Sequence, residues 1–396
     1  MNKQIAKIFL VFIIICNFFF LGGCWDAREL DKLFIVTGLS IDDKENDELE
    51  LSIQIGKTKE AGMSSSGSVS GDTTVPLVLS AQNKSIVDAY MTLNENCSRG
   101  LLIDHAQVLL IGQSVAEKGI KRILDVFIRV QEARIEMPVV IVEGVAKEIL
   151  TTSIDESSMS ANFVAQLFDG LGMVSKYYKT RVIDLMHRLV CKEHAATLPI
   201  VKIVQKNDKD VIEFDGFAIL KDGMMVGKMT KDETRGYVLG NGNVTNLILH
   251  AEDQDGLAAY RLQSTKSKIS VELDSNNQVK VNINVKGNVE LDELSGFEDF
   301  ELNELLEHLK SVVQYKIKYN IEKSLEKTKL LQTDIYGMGE KIFKKYPNQW
   351  KTMKENWDNI YNQAEFVINV KINIPVTGDI LQSIEIEQKL QEKENN

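Results

Sequence analysis

Residues 269–285 read ISVELDSNNQVKVNINV, and the alternation in this stretch decides the fold class. Ile269, Val271 and Leu273 alternate with polar residues, turn formers occupy 274–277, and Val279, Val281, Ile283 and Val285 alternate on the return. A period of two on both sides of an Asp/Asn-rich turn predicts an antiparallel hairpin with one face buried and one wet. Downstream, Leu302, Leu305, Leu309, Val313, Ile317, Ile321 and Leu325 recur at helical spacing with Lys and Glu between them, predicting one long helix to about residue 329. Phe366, Ile368, Val370, Ile372 and Ile374 predict a final half-buried strand. Helices packed on an antiparallel sheet give an α+β domain, placed at 201–386 and followed by a polar tail at 387–396.

Upstream of the hairpin the pattern changes. Strands are expected over 33–41 and 49–55, then a Ser/Gly-rich exposed loop at 62–71. Ser85 caps a short helix through Leu93, and an apolar strand is expected over 101–111. Ala116, Ile120, Ile123, Leu124, Phe127 and Val130 predict a helix, with Pro138 leading into a strand at 139–142. From 160 to 190 the pattern is helical, with Phe163, Leu167, Leu171 and Val174 on one stripe. Alternating strands and helices make 24–200 a mixed α/β region, bounded near 200–210 by the polar cluster at 206–210.

The N-terminus speaks to compartment. Lys3 and Lys7 precede an apolar run at 8–21, then small residues: the layout of a signal peptide over 1–23. An uncleaved anchor is the alternative, but the run falls short of the roughly 20 residues that cross a hydrocarbon core, and polar Asn17 interrupts it. Leu21, Gly22, Gly23 and Cys24 form a lipobox, which makes Cys24 the expected lipidation site. Two acyl chains, at about 0.8 kcal/mol per buried methylene, anchor a protein where one chain is marginal.

The charge argues against a nucleic-acid partner: the chain carries -11, or -13 once Lys3 and Lys7 leave with the signal. No cofactor, metal or catalytic constellation is expected. Cys191 and His194 have ligand spacing, but no second pair accompanies them. The tract Asp253, Gln254, Asp255, Gly256 is calcium-loop-like, yet an EF-hand register puts Ala251 at its first ligand and Leu262 at its last, so an acidic turn is expected. The pairs Gly170/Gly172 and Gly240/Gly242 read as turns, lacking the strand, third glycine and helix start of a dinucleotide site. Ser68 and Ser70 lack the Gly-x-Ser-x-Gly frame. The Lys- and aromatic-rich stretch at 341–361 puts Trp350, Met353, Trp357, Ile360 and Tyr361 on one stripe, predicting core aromatics and solvated lysines.

Together the motifs resemble one family, the C subunits or Ger(x)C lipoproteins of spore nutrient germinant receptors. The resemblance begins with Gly23, Cys24, Trp25 and Asp26, then Arg28, Glu29 and Leu30, and the strand Val36, Thr37, Gly38, Leu39 ending in Ile41 and Asp42. It continues through 131–134, 143–150, 215–218, Met225 to Gly227, and Glu233, Thr234, Arg235, Gly236, closing on 334–339 with Trp350 and Trp357. What it implies is a lipid-anchored, non-catalytic subunit on the outer face of the inner spore membrane, built of several mixed α/β domains. It would assemble with polytopic membrane subunits, one of them transporter-like, and help sense nutrients and trigger germination. Apart from Cys24 no functional residue is carried over, the other motif residues reading as turn glycines and packing positions. The competing class is a solute-binding lipoprotein of an importer, which predicts two parallel-sheet lobes around a cleft.

Cys16 leaves with the signal and Cys24 is lipidated, so Cys97 and Cys191 are expected to be unpaired thiols. Mass analysis of the unreduced, denatured protein should find both free. A mass lighter by two hydrogens would establish a bridge instead.

Overall fold

In a computed structural model, which describes residues 32–56, 76–130, 133–154, 157, 159–173, 179–190, 195–297 and 300–375, the first strands form where their alternation places them. β1 (Leu33–Asp43) pairs antiparallel with β2 (Leu49–Ile55), and β2 with β3 (Leu77–Asn83). Ser85 Oγ accepts the Asp88 amide at 3.4 Å and opens α1 (Ile86–Glu95). The loop expected at 62–71 and the tail at 387–396 lie outside the described residues.

Two elements expected to be continuous are broken. The apolar run at 101–111 becomes β4 (Gly100–Leu102) and β5 (Val108–Gly112), separated where exposed Asp104 and His105 turn the chain and the Ala106 amide donates to the Ile103 carbonyl. The helix that follows is split into α2 (Gln113–Lys118) and α3 (Lys121–Arg129) at Gly119, whose φ of +121° no helix accommodates. The break lets the Ile120 amide reach the Gly223 carbonyl at 2.9 Å.

β6 (Val139–Val142) lies parallel to β5, and α4 (Ala146–Thr151), α5 (Ser160–Met173) and α6 (Val182–Val190) follow. On α5 the buried apolar residues among those described are Ala161, Val164, Ala165 and Phe168, with Phe163 and Leu167 only half-buried, so the stripe sits one residue round from the expected one. The Leu171 side chain and Val174 lie outside the described residues. Gly170 and Gly172, read as turn glycines, are inside α5.

β7 (Ala196–Lys206) runs parallel to β6, and β8 (Lys209–Lys221) and β9 (Met224–Met229) add to it antiparallel. The order is β3-β2-β1-β5-β6-β7-β8-β9, with β4 beside β1. The polar cluster at 206–210 is the tip of the β7–β8 hairpin, with positive φ at Asn207 and Asp208, and the first sheet continues to Met229. Its central strands are buried on both sides. Leu109, Ile111 and Ile141 face one core, while Val108, Leu110 and Val140 face a second that extends to Val281 and Ile283 of the next sheet.

A capping box opens α7 (Lys231–Asn241): the Glu233 amide donates to Thr230 Oγ1 and the Thr230 amide to Glu233 Oε2 at 2.7 Å. Gly240 is therefore helical, not a turn, and Gly242 is the residue that ends the helix. β10 (Asn243–Val244), β11 (Leu247–Glu252), β12 (Gly256–Leu273) and β13 (Val279–Gly296) build the second sheet. The predicted hairpin is present and longer than its clearest alternation, pairing Leu273 with Val279 and Gly256 with Gly296. Asp274 Oδ1 accepts the amides of Asn276 and Gln278, and Asn277 takes positive φ.

The expected long helix is α8 (Leu302–Leu330), with Leu305, Leu309, Val313, Ile317, Ile321 and Leu325 buried; the Leu302 side chain lies outside the described residues. The stretch at 341–361 is divided among α9 (Met338–Lys345), α10 (Pro347–Met353), one turn of 3-10 helix and α11 (Trp357–Gln363). Its Trp350, Met353, Trp357 and Tyr361 are core as predicted, and Ile360 is half-buried. β14 (Glu365–Asn373) closes the sheet, order β10-β12-β13-β14 with β11 beside β12, and runs parallel to β13, a direction that alternation alone does not set. The class is mixed α+β, as expected. Among the described residues no helix is long and apolar enough to cross a membrane.

α7 connects the two sheets and lies hard against α8. A Cβ added at Gly236 would stand 1.8 Å from the Asn320 carbonyl oxygen, whereas one at Gly240 would stand 3.1 Å from the Tyr336 ring. Gly236→Ala is expected to cost about 3 kcal/mol or more, because backbone must move. Gly240→Ala should be near neutral, its tighter ring contact offset by the roughly 1 kcal/mol that Ala gains in a helix. Urea unfolding midpoints of the two variants check this, and a wild-type midpoint for Gly236→Ala would refute the close crossing.

Candidate functional site

Cys24, the one residue assigned a role from the sequence, lies outside the described residues, as do Cys191 and His194. Cys97 is a half-buried free thiol, pushed by burial above the usual thiol range.

Asp42, at the end of β1, is 4% exposed and holds the start of α4: Oδ1 accepts the Ala146 amide at 2.6 Å and Oδ2 the Lys147 amide at 2.9 Å. Burial raises its pKa, and the two amides offset only part of that shift. Beside it Glu50 lies 3.0 Å from both Lys44 Nζ and Lys147 Nζ. Burial works against the Glu50 carboxylate, but the two lysines prevail and hold it below its ordinary value. Fully buried Gln54 donates to the Leu150 carbonyl and to Ser160 Oγ, tying β2 to α4 and α5. The block at 143–150 is thus fastened to the strand motif that ends in Asp42.

The last block makes a second knot. Asp334 Oδ2 accepts the Gly339 amide at 2.7 Å and Trp357 Nε1 at 3.2 Å, and Trp350 packs edge-on against Trp357 at 5.1 Å. Tyr336 donates to Ser324 Oγ at 2.9 Å, and the Tyr361 and Thr328 hydroxyls share a 2.6 Å hydrogen bond. Burial pushes both phenols well above their ordinary range, so they stay neutral. These residues close the C-terminal end of α8 by hydrogen bonding and packing.

A cluster that the sequence did not bring together sits between the β11–β12 turn and α8. Asp253 Oδ1 accepts the Asp255 and Gly256 amides, making the expected acidic turn, and Asp253 Oδ2 lies 2.8 Å from His308 Nε2. Asp255 Oδ2 is 3.7 Å from the same nitrogen, and the imidazole rests against Phe300 and Phe297 at 4.9 and 5.7 Å. Burial opposes the Asp253 charge, but its amide and imidazole hydrogen bonds outweigh it and hold the carboxyl below the usual range. Two carboxylates and an imidazole are a donor set that suits a divalent metal. In the geometry present they form an Asp–His pair that pins the turn to the helix. Ser311, one turn on, donates to the His308 carbonyl, so its hydroxyl is committed to the backbone. His308 lies 55 residues from Asp253, and no local spacing signals the pairing.

Comparison with known proteins assigns the chain. Residues 26–203 match the spore germination protein N-terminal domain, and residues 215–378 match the spore germination B3/GerAC-like C-terminal domain. Spore germination protein KC of Bacillus subtilis (strain 168) is 24% identical over 392 residues, covering 93% of this chain and 95% of that protein. Spore germination protein B3 of the same organism is 21% identical, covering 96% and 98%. The crystal structure of the GerBC protein superposes with a TM-score of 0.57 at 19% identity, over 86% of this chain and 97% of that one, and so has the same fold. The chain belongs to the Ger(x)C family of spore germination proteins.

Proposed function

We propose that this protein is the lipid-anchored, non-catalytic subunit of a spore germinant receptor, held through Cys24 on the extracytoplasmic face of the inner spore membrane. There it works with polytopic membrane subunits, one of them transporter-like, in sensing nutrients and triggering germination. The observation that carries the reading is the match to both germination-protein domains in order along the chain, behind a sequence whose first residues read as a signal and lipobox. The contacts of the motif residues support it, since they fasten strands and helices to one another. The importer-type alternative needs two lobes facing a cleft, whereas one continuous apolar core joins the two sheets here.

Tethering to one membrane raises the effective concentration of subunits for each other, so a modest protein interface suffices to assemble a complex. Spores lacking the protein should lose nutrient-triggered ion release while still germinating by receptor-independent triggers. Cys24→Ala should give a partial defect, and the processed, unlipidated protein should leave the membrane fraction in high salt. Unchanged nutrient-triggered release after deletion, with no related subunit able to substitute, would sink the reading.

A further inference from the structure

The outer face of the second sheet carries a charge arrangement that folding alone disfavours. Register sorts the side chains of β12, β13 and β14 into rows across the sheet. Toward the hairpin turn, Glu272, Lys280 and Glu365 form a row of alternating sign, with Lys280 Nζ 3.2 Å from Glu365 Oε1. Farther along the same strands Lys266, Lys286 and Lys371 stand directly opposite one another, all three exposed. Like charges at opposed positions destabilise a sheet. Lys268 adds a fourth exposed charge in the next row, completed by Asn284 and Asn369. Among the described residues none of these four lysines has a carboxylate at ion-pair distance.

This face opens into a groove of about 1010 Å³ bordered by α8, which contributes Lys310 and Glu307, themselves paired at 2.6 Å. Five lysines against one glutamate line it, in a chain whose net charge is -11. We infer that the groove and its lysine row are a docking face for an anionic phospholipid surface.

The chemistry favours headgroups over a protein partner. Every cation is a lysine, a point charge without the planar fork that fixes a carboxylate in one geometry. The rest of the lining is chiefly Ser, Asn and Gln, without the exposed aromatic or aliphatic anchor that the centre of a protein interface needs. The groove is too wide to grip one small anion and takes several phosphates. Ser311 borders both this groove and a neighbouring cleft that contains Tyr315 and Tyr319. These tyrosines are 69% and 40% exposed, stacked at 6.3 Å, and Lys323 lies 5.5 Å over the Tyr319 ring. Exposed tyrosines beside lysines are the amphipathic residues that settle at headgroup depth. The inference rests on the proposed lipid anchor only for keeping this face near a membrane; the contact itself belongs to the face.

The test uses the mature chain carrying Cys24→Ala, which has no acyl chains, sedimented with vesicles of phosphatidylcholine and phosphatidylglycerol in equal parts and with phosphatidylcholine alone. The protein should pellet with the mixed vesicles, not with the neutral ones, and be released as salt rises. At about fivefold per lysine, K266Q, K286Q and K371Q together should weaken binding about a hundredfold. The same change at exposed Lys344, Lys351 and Lys354 should leave it unaltered. The triple variant's unfolding midpoint should be unchanged or higher, because repulsion is relieved, so a binding loss is not a folding loss. Equal pelleting with neutral vesicles, no pelleting with anionic ones, or wild-type binding by the triple variant would overturn the inference. So would a wild-type protein that ignores both vesicles while the triple variant loses co-purification with membrane subunits, which would assign the face to an acidic protein. Failure of lipidation at Cys24 would leave the vesicle result unchanged, so the two readings fail separately.

Discussion

The closeness of α7 to α8 at Gly236 is the constraint on which the rest of the architecture hangs. α7 is the only helix between the first sheet and the strands of the second, and its contact with α8 sets how near the two sheets come. An aromatic chain crosses the same junction: Phe214 and Phe217 of β8, Tyr237 of α7 and Tyr336 before α9 meet in edge-on pairs 5.3 to 6.0 Å apart. Burying each such ring contributes roughly 1.5 to 3 kcal/mol, and only close helices bring the rings into register. The two halves that separate germination-protein domain families describe are therefore packed over one core.

Where the sequence was legible, the signal was local and one-dimensional. The 269–285 hairpin needs only a period of two and a turn, and α8, 29 residues long, needs only one apolar stripe sustained from Leu302 to Leu325. Expectations failed where a tertiary partner decided the outcome. The helix expected across Ala116 and Ile120 breaks at Gly119, where the Ile120 amide donates to the Gly223 carbonyl. Gly240 reads as a turn, but the capping box of Thr230 and Glu233 starts a helix that runs past it to Asn241. The polar cluster at 206–210, where the domain boundary is expected, is built as a tight hairpin tip, and the two family domains meet across the same stretch, at 203 and 215.

The candidate sites divide along the same line. The proposal for Cys24 rests on a short linear motif, the kind of signal a sequence carries by itself. Asp42 with Ala146, and Asp253 with His308, are separated by 104 and 55 residues, and only the fold unites them. The lysine row was invisible for another reason: Lys266, Lys286 and Lys371 lie on three strands, and their adjacency depends on exact register, including the parallel pairing of β14. A one-residue slip would turn those side chains to the opposite face.

Net charge alone would place this acidic chain away from an anionic membrane, yet net charge is the wrong quantity at short range. At physiological ionic strength the Debye length is about 8 Å, so a surface senses the groups nearest it and little of the charge beyond. The sheet face then behaves as a cationic patch whatever the sum over the chain. A lipid tether and such a patch are each weak restraints on orientation: the tether fixes distance but not attitude, and the patch alone does not hold the protein on the surface. With Cys24 lipidated as proposed, the tether would keep the patch within reach of headgroups and the patch would select which side of the molecule faces them. On the proposed reading, the surfaces away from this groove are left to meet the membrane subunits. On this argument the like-charge repulsion across β12, β13 and β14 is a cost of orientation that folding tolerates, since the alternating Glu272–Lys280–Glu365 row shows the same strands arranging opposite charges where nothing else is asked of them.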